Sequence, residues 1–334
     1  MEASVVAIQE PSSAVATDTN AAVRAELIYV APPTEPLRTY TYDPPPGVTQ
    51  ANAVPESHVV TIANARASGR RFSLDENGFE LREQRSAVKD FYDSGEVRSV
   101  YYPEAQDYLK RITGADRVLI FDHTVRRRVQ GAKDVRDGTP RQPATRIHVD
   151  QTVRSGPQRV RDLLPQEADD LLRGRVQIIN LWRPIRGPLR DTPLAMCDTQ
   201  SVDERDLVPS ALIYPDRTGE IYAVTFNPAH RWFYYPEMRA DEVLLLKCYD
   251  SKEDGRARFA PTRLSSIRRR RPARRGGKAS NCERSSFTQH DRHREATGAG
   301  AKAAESSNCA NSRAAIFVGG HDLPETRITS AAQS

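Results

Sequence analysis

The sequence predicts a mainly β protein with flanking helices, and three observations carry that expectation. Between residues 175 and 250 five short runs of Val, Ile, Leu and aromatic residues follow one another with Pro, Gly and Asp between them, the texture of a β-sandwich or barrel. Ahead of them lies a compact β-type run, Arg117-Val118-Leu119-Ile120-Phe121. Only two stretches, residues 85–112 and 159–172, carry helix-like spacing of apolar residues.

In chain order, residues 1–25 are rich in Ala, Ser, Thr and Val without a period, and read as a disordered leader. Leu27 to Val30 and His58 to Ile62 are strand-like runs on either side of the Pro44-Pro45-Pro46 loop. Residues 85–112 mix charge with Val88, Phe91, Tyr92, Val97, Tyr108 and Leu109 and read as partly helical. Val160, Leu163, Leu164, Ala168, Leu171 and Leu172 give residues 159–172 a helical face. The five strands that follow are Val176–Trp182, Ala211–Tyr214, Glu220–Phe226, Arg231–Tyr235 and Glu242–Tyr249. After Pro261 the chain turns Arg-, Ala- and Ser-rich, and only Ala315-Ile316-Phe317-Val318 breaks the polar texture. The expected organisation is a leader (1–25), one folded domain (26–262) and a disordered basic tail (263–334).

Charge and cysteine content narrow the function. The net charge is +5, but residues 263–334 hold 14 Lys+Arg against 6 Asp+Glu, so the preceding 262 residues carry −3. The basic character belongs to the tail, which argues against nucleic acid as the partner of the folded part. No run of 18 apolar residues marks a membrane span. Cys197, Cys248, Cys282 and Cys309 form no C-x-x-C pair, and four cysteines in 334 residues make no disulfide framework. A cytoplasmic, reducing compartment and a small-molecule substrate are expected; the oligomeric state is left open. Neither a GxGxxG nor a P-loop is present.

The sharpest candidate chemistry is His148-Val149-Asp150. On a strand, residues i and i+2 share a face, so an imidazole and a carboxylate can hold one metal from one side. A distant second His would make a facial triad of the kind that binds non-heme iron. A surface or capping pair is the alternative reading of the tripeptide. His230 is the only His between residues 151 and 289, and reads either as the third ligand or as a loop His at a strand start. Asn180, Arg183, Asp198, Ser201, Lys247 and Asp250 accompany the strands. Of these, Arg183 and Lys247, with Asn180, are the candidates for holding a cosubstrate carboxylate; structural ion pairs are the alternative. His123 reads as a support to the site or as structural, and Cys197 and Cys248 as small buried apolar residues.

Six segments in order resemble the hydroxylase/desaturase family of secondary metabolism (AsaB-like, CmcJ-like). They are Phe121-Asp122-His123-Thr124-Val125-Arg126, His148-Val149-Asp150-Gln151-Thr152, Asn180-Leu181-Trp182-Arg183-Pro184, Pro193-Leu194-Ala195-Met196-Cys197-Asp198, His230-Arg231-Trp232-Phe233-Tyr234 and Lys247-Cys248-Tyr249-Asp250-Ser251. The resemblance covers about residues 26–261. It implies a double-stranded β-helix (jelly-roll) and an oxidoreductase acting on a small secondary metabolite with Fe(II), dioxygen and 2-oxoglutarate. It further implies that His148 and Asp150 are metal ligands. Two other readings stand beside it: a non-catalytic partner subunit on the same fold, and a nucleic-acid binder acting through Arg268 to Arg271.

The resemblance stops at Pro261. The family continues with a Pro-His-Thr-Ala-Phe-like segment, a Pro-rich loop and an Arg-Glu-Ser-Ile-Glu strand, whereas this chain reads Pro261-Thr262-Arg263-Leu264. Codons compatible with the chain contain that ending one frame away. The third base of codon 261 with the first two of codon 262 can give His. Residues 262–275 then give Thr-Ala-Phe-Glu-His-Pro-Thr-Ala-Pro-Pro-Gly-Ala-Pro-Arg, and residues 276–284 give Arg-Glu-Ser-Ile-Glu-Leu-Arg-Ala. The expectation is a single lost nucleotide near codon 261, a tail that is a frameshift product, and a jelly-roll incomplete at its C-terminal strand. If the lost His is the third ligand, the chain has two of three; if His230 is, iron binding survives.

Overall fold

A computed structural model describes residues 22–127, 146–190, 193–264 and 308–318. Its elements are β1 (Val23–Val30), β2 (Leu37–Tyr40), β3 (Pro55–Asn64), β4 (Phe79–Glu83), α1 (Ser94–Glu96), a π-helical turn (Val97–Tyr101), α2 (Tyr102–Thr113), β5 (Arg117–Arg127), β6 (His148–Val149), α3 (Ser155–Leu163), α4 (Ala168–Leu171), β7 (Arg175–Pro184), β8 (Leu194–Cys197), β9 (Leu207–Ile213), β10 (Thr218–Val224), β11 (Trp232–Tyr234), β12 (Glu242–Asp250), β13 (Thr262–Leu264) and β14 (Asn308–Val318).

The strands form two sheets. One has nine strands in the order β1-β3-β11-β8-β13-β6-β10-β9-β2, the other five in the order β4-β12-β7-β14-β5. The larger sheet curls back on itself: Ile28 in β1 bridges to Arg146, and Val30 bridges to Thr225. Inside that curl Leu27, Tyr29, Ile62, Ile147, Ala195, Cys197, Val224 and Trp232 are packed together. A second core lies between the sheets. Met196 and Phe233 of the large sheet meet Trp182, Leu244 and Leu246 of the small one there. Alternation explains the division: Cys197 and Met196, or Trp232 and Phe233, are neighbours in sequence and so face opposite sides of the sheet. This curled two-sheet β architecture is the jelly-roll class expected from the sequence.

The outer face of the small sheet is covered by the helical segment. Val97, Tyr101, Ala105, Tyr108 and Leu109 pack on Val118, Ile120, Ile179, Leu181, Val243 and Leu245. The segment starts at Asp93, whose carboxylate accepts from the N–H groups of Gly95 and Glu96. It stops at Gly114, which takes the left-handed conformation (φ 68°) and returns its N–H to Lys110 O. The single helix expected over residues 159–172 is two, α3 and α4. Pro165 lies between them, where it can supply no N–H to a continuing ladder.

Three boundaries differ from expectation. β1 starts at Val23, so Val23, Arg24 and Ala25 belong to the domain and not to the leader; residues 1–21 lie outside the described residues. β2, β4 and β8 were not foreseen, because each has only four or five residues. The tail was expected to be without order, yet Asn308–Val318 is a strand within it. It runs antiparallel to both β5 and β7, so the small sheet is not left open at the expected gap. The physical reason is the edge: β7 is buried along almost its whole length, and its free N–H and C=O groups demand a partner strand. The rest of the tail, including Arg268 to Arg271, lies outside the described residues.

Candidate active site

β6 is a two-residue strand between β13 and β10. Ile147 points into the curl of the large sheet, so His148 points the other way, toward the gap between the sheets. His148 Nδ1 lies 2.9 Å from the carbonyl oxygen of Arg146. A carbonyl only accepts, so Nδ1 carries the proton and Nε2 keeps its lone pair. Nε2 lies 3.6 Å from Asp150 Oδ1. Two acceptor atoms facing each other at that distance favour a cation between or beside them. From the facing sheet Asn180 Nδ2 donates to Asp150 Oδ2 at 2.6 Å, and Cys248 Sγ lies 3.9 Å from the same oxygen.

His148 and Asp150 line a cavity of about 1320 Å³. Its wall includes apolar Ile28, Phe121 and Ile221 and the cationic Arg126, Arg146, Arg154, Arg159 and Arg217. Arg154 is tied to Glu220, with 2.5 Å between Nη2 and Oε2. Asp122, Asp162 and Glu220 line it too, so the wall mixes apolar surface with both signs of charge, five arginines outnumbering the carboxylates, and suits a small molecule bearing polar groups.

The other candidate residues are placed as follows. Asn180 is beside Asp150, and its Oδ1 is buried without a hydrogen-bond partner among the described residues. Arg183 is three residues further along β7 and so on the opposite face. It lies under α2, over the rings of Tyr101 and Phe91, with Nη2 donating to Gln84 O and Oε1. Lys247 is fully buried and its Nζ donates to Asp250 Oδ2 at 2.6 Å and to Asp75 Oδ1 at 2.8 Å. Arg175 joins them, 2.6 Å from Asp250 Oδ2. That is a structural ion-pair network, and it leaves Lys247 unavailable to a cosubstrate carboxylate.

His230 is not brought to the pair. Its Nε2 lies 3.1 Å from Asp206 Oδ2, and its ring stacks on Tyr29 at 5.8 Å. Tyr29 Oη in turn accepts from Trp232 Nε1 at 2.8 Å. Burial holds the His230 pKa below the ordinary value, against the attraction of Asp206. His123 is on the helix side, 2.8 Å from Tyr102 Oη, and burial also lowers its pKa. Asp198 holds a turn by accepting from Asn77, Arg70 and Arg231.

Comparison with known proteins shows the family and the fold. A family model described as "YDMC: Oxidoreductase/YMDC permease-like domain" matches residues 27–275. The hydroxylase/desaturase efuI of Hormonema carpetanum is 38% identical over 222 residues, which is 60% of this chain and 75% of that protein. The chain belongs to this hydroxylase/desaturase family. The alpha-ketoglutarate-dependent dioxygenase phiK of a fungal species is 34% identical over 184 residues, 54% of this chain and 66% of its own. The solved structure of the iron and alpha-ketoglutarate-dependent endoperoxidase NvfI superposes with a TM-score of 0.72 at 24% identity, over 90% of this chain and 99% of that one; it shows the shared fold. Family membership makes this chain an oxidoreductase scaffold. Despite the word permease in the family description, no helix among the described residues is long and apolar enough to cross a membrane.

The hydroxylase/desaturase fold implies an iron ion, and the donor set of this chain fits one only in part. Among the described residues no group of three or more His, Cys, Asp or Glu side chains is arranged to hold a metal. His148 and Asp150 are two donors of the three that a facial triad needs. Across the strand ladder from His148 stand Ala223 on β10 and Thr262 on β13. The sequence marks position 262 through the alternative reading frame, which gives His there, but not its place across the ladder from His148. Cys248 and the cavity arginines were likewise not foreseen at the site; their positions depend on strand register, which the sequence does not print.

Proposed function

We propose that the cavity beside β6 is the reaction chamber of a hydroxylase- or desaturase-type oxidoreductase acting on a small secondary metabolite. His148 and Asp150 are its metal-facing pair. The observation that supports this most is the 3.6 Å approach of His148 Nε2 to Asp150 Oδ1 on the wall of a 1320 Å³ cavity. The relatives' names supply iron and 2-oxoglutarate as the cofactor and cosubstrate of this reading. Iron would supply dioxygen activation.

What the chain's own residues do follows from their contacts. Arg146 O fixes the His148 tautomer, so that Nε2 is the donor. Asn180 holds one carboxylate oxygen of Asp150 and leaves the other toward His148. Arg126, on the cavity wall, offers a planar pair of donors to an acidic cosubstrate. Arg183 and Lys247 do not line this cavity, whereas Arg126 does. Apolar Phe121 and Ile221 give the substrate a dry wall. Cys197 and Cys248 are buried, and a reducing, cytoplasmic setting is part of this reading.

The test is anaerobic titration with Fe(II), followed by calorimetry, on the full chain and on His148→Ala and Asp150→Ala. Each substitution is expected to remove the bound Fe(II). Retention of full affinity in both would contradict the assignment.

A further inference from the structure

We propose that Thr262 occupies the third-ligand position of the His148–Asp150 metal site, so that this chain carries a metal site one donor short, which a single imidazole at position 262 completes. The inference rests on the functional reading above.

The argument is one of register. A single row of residues crosses the large sheet: Ala63 on β3, Phe233 on β11, Met196 on β8, Thr262 on β13, His148 on β6 and Ala223 on β10 are successive cross-strand partners. Directly opposed residues share a face, with Cβ atoms about 5 Å apart. Met196 and Phe233 of this row lie in the core between the sheets, so Thr262 and His148 face that gap as well. The next residue confirms the parity: Arg263 is buried, and its Nη1 donates to Glu26 O of β1. It therefore points into the curl, away from His148.

A metal on His148 Nε2 and Asp150 has few places from which to draw a third protein donor. Ala223 has no donor atom. The facing sheet offers Asn180, whose Nδ2 is committed to Asp150 and whose Oδ1 is a neutral amide oxygen, and Cys248, whose Sγ lies 3.7 Å from Leu246 O. His230 is held by Asp206 and Tyr29. Thr262 is the neighbour that register sets directly across from His148, and a neutral hydroxyl is a weak substitute for imidazole or carboxylate. The residue after Pro261 is also the one at which the alternative reading frame gives His.

Co(II) is the probe, titrated anaerobically into the full chain and read by calorimetry and visible absorption, with circular dichroism to confirm folding. Thr262→His is expected to tighten binding at least about tenfold, the order by which outer metal partners alone change affinity. Thr262→Ala should give no gain, and His148→Ala added to Thr262→His should erase it. Should Thr262→His fail to fold, Thr262→Gly with free imidazole in solution carries the same test, and imidazole should tighten Co(II) binding there and not in the parent. The proposal is overturned by a folded Thr262→His no tighter than the parent together with no imidazole effect in Thr262→Gly. It is equally overturned by a thiolate charge-transfer band in the parent that Cys248→Ser removes. Co(II) binding that ignores His148→Ala and Asp150→Ala would instead defeat the functional reading itself.

Discussion

Asn180 reaches across the gap between the two sheets and donates its amide hydrogen to Asp150 at 2.6 Å. With Cys248 Sγ at 3.9 Å from the same oxygen, it ties the carboxylate that follows β6 to the small sheet, and it makes Asn180 a positioning residue. Replacing it with an apolar side chain of similar size should leave the fold intact and let Asp150 rotate. Asn180→Leu is expected to weaken Co(II) binding by about tenfold with an unchanged unfolding midpoint.

The Lys247–Asp250 pair is structural. Both side chains are fully buried, and Arg175 and Asp75 complete the network. Removing one charge strands the other. Asp250→Asn is expected to cost about 3–5 kcal/mol, read by urea denaturation at pH 7. An unchanged midpoint would show that Asp75, half exposed, suffices for Lys247.

Stability should rise between about pH 5 and pH 7. Burial lowers the pKa of both His230 and His123, so in this window the unfolded chain binds more protons than the folded one. The stabilisation is complete above the unfolded value of ~6.5 and is lost as pH falls toward the lower folded values. Asp198 acts at more acid pH. Burial raises its pKa, but hydrogen bonds from Asn77, Arg231 and Arg70 outweigh this and hold it low. Its contribution is present above ~3.9 and is lost only below that. Thermal melts across pH 4.5 to 7.5 check the first window, and His230→Asn should flatten it.

Arg263 is the least comfortable residue of β13. It is buried, its Nε has no hydrogen-bond partner among the described residues, and burial lowers its pKa. A buried unsatisfied polar group costs about 1–3 kcal/mol. Arg263→Thr, the residue given by the alternative frame, is therefore expected to stabilise the chain by about that amount in urea denaturation. A destabilised Arg263→Thr would mean that the bond to Glu26 O outweighs the burial cost.

Much of this was legible in the sequence, and the rest was not for identifiable reasons. The long strands β7, β10 and β12 follow from continuous or alternating apolar runs, because burial itself writes that pattern. The His148–Asp150 pair follows from the period of two. The same period, applied to Asn180 and Arg183, already separates them onto opposite faces of β7 and removes Arg183 from the cavity. Lys247 and His230 could not be excluded in advance, since their partners Asp75 and Asp206 are distant or unpatterned. Strand β14 was hidden because the demand that orders it comes from the open edges of β5 and β7 and not from its own residues. The register of Thr262 against His148 is a property of the assembled sheet alone.

The account turns on where a metal binds. Crystals soaked in Co(II) and measured at the cobalt absorption edge locate it directly. The expected result is one anomalous peak within bonding distance of His148 Nε2 and an Asp150 oxygen, on the side facing Thr262. A peak at His230 and Asp206, with none at His148, would contradict it.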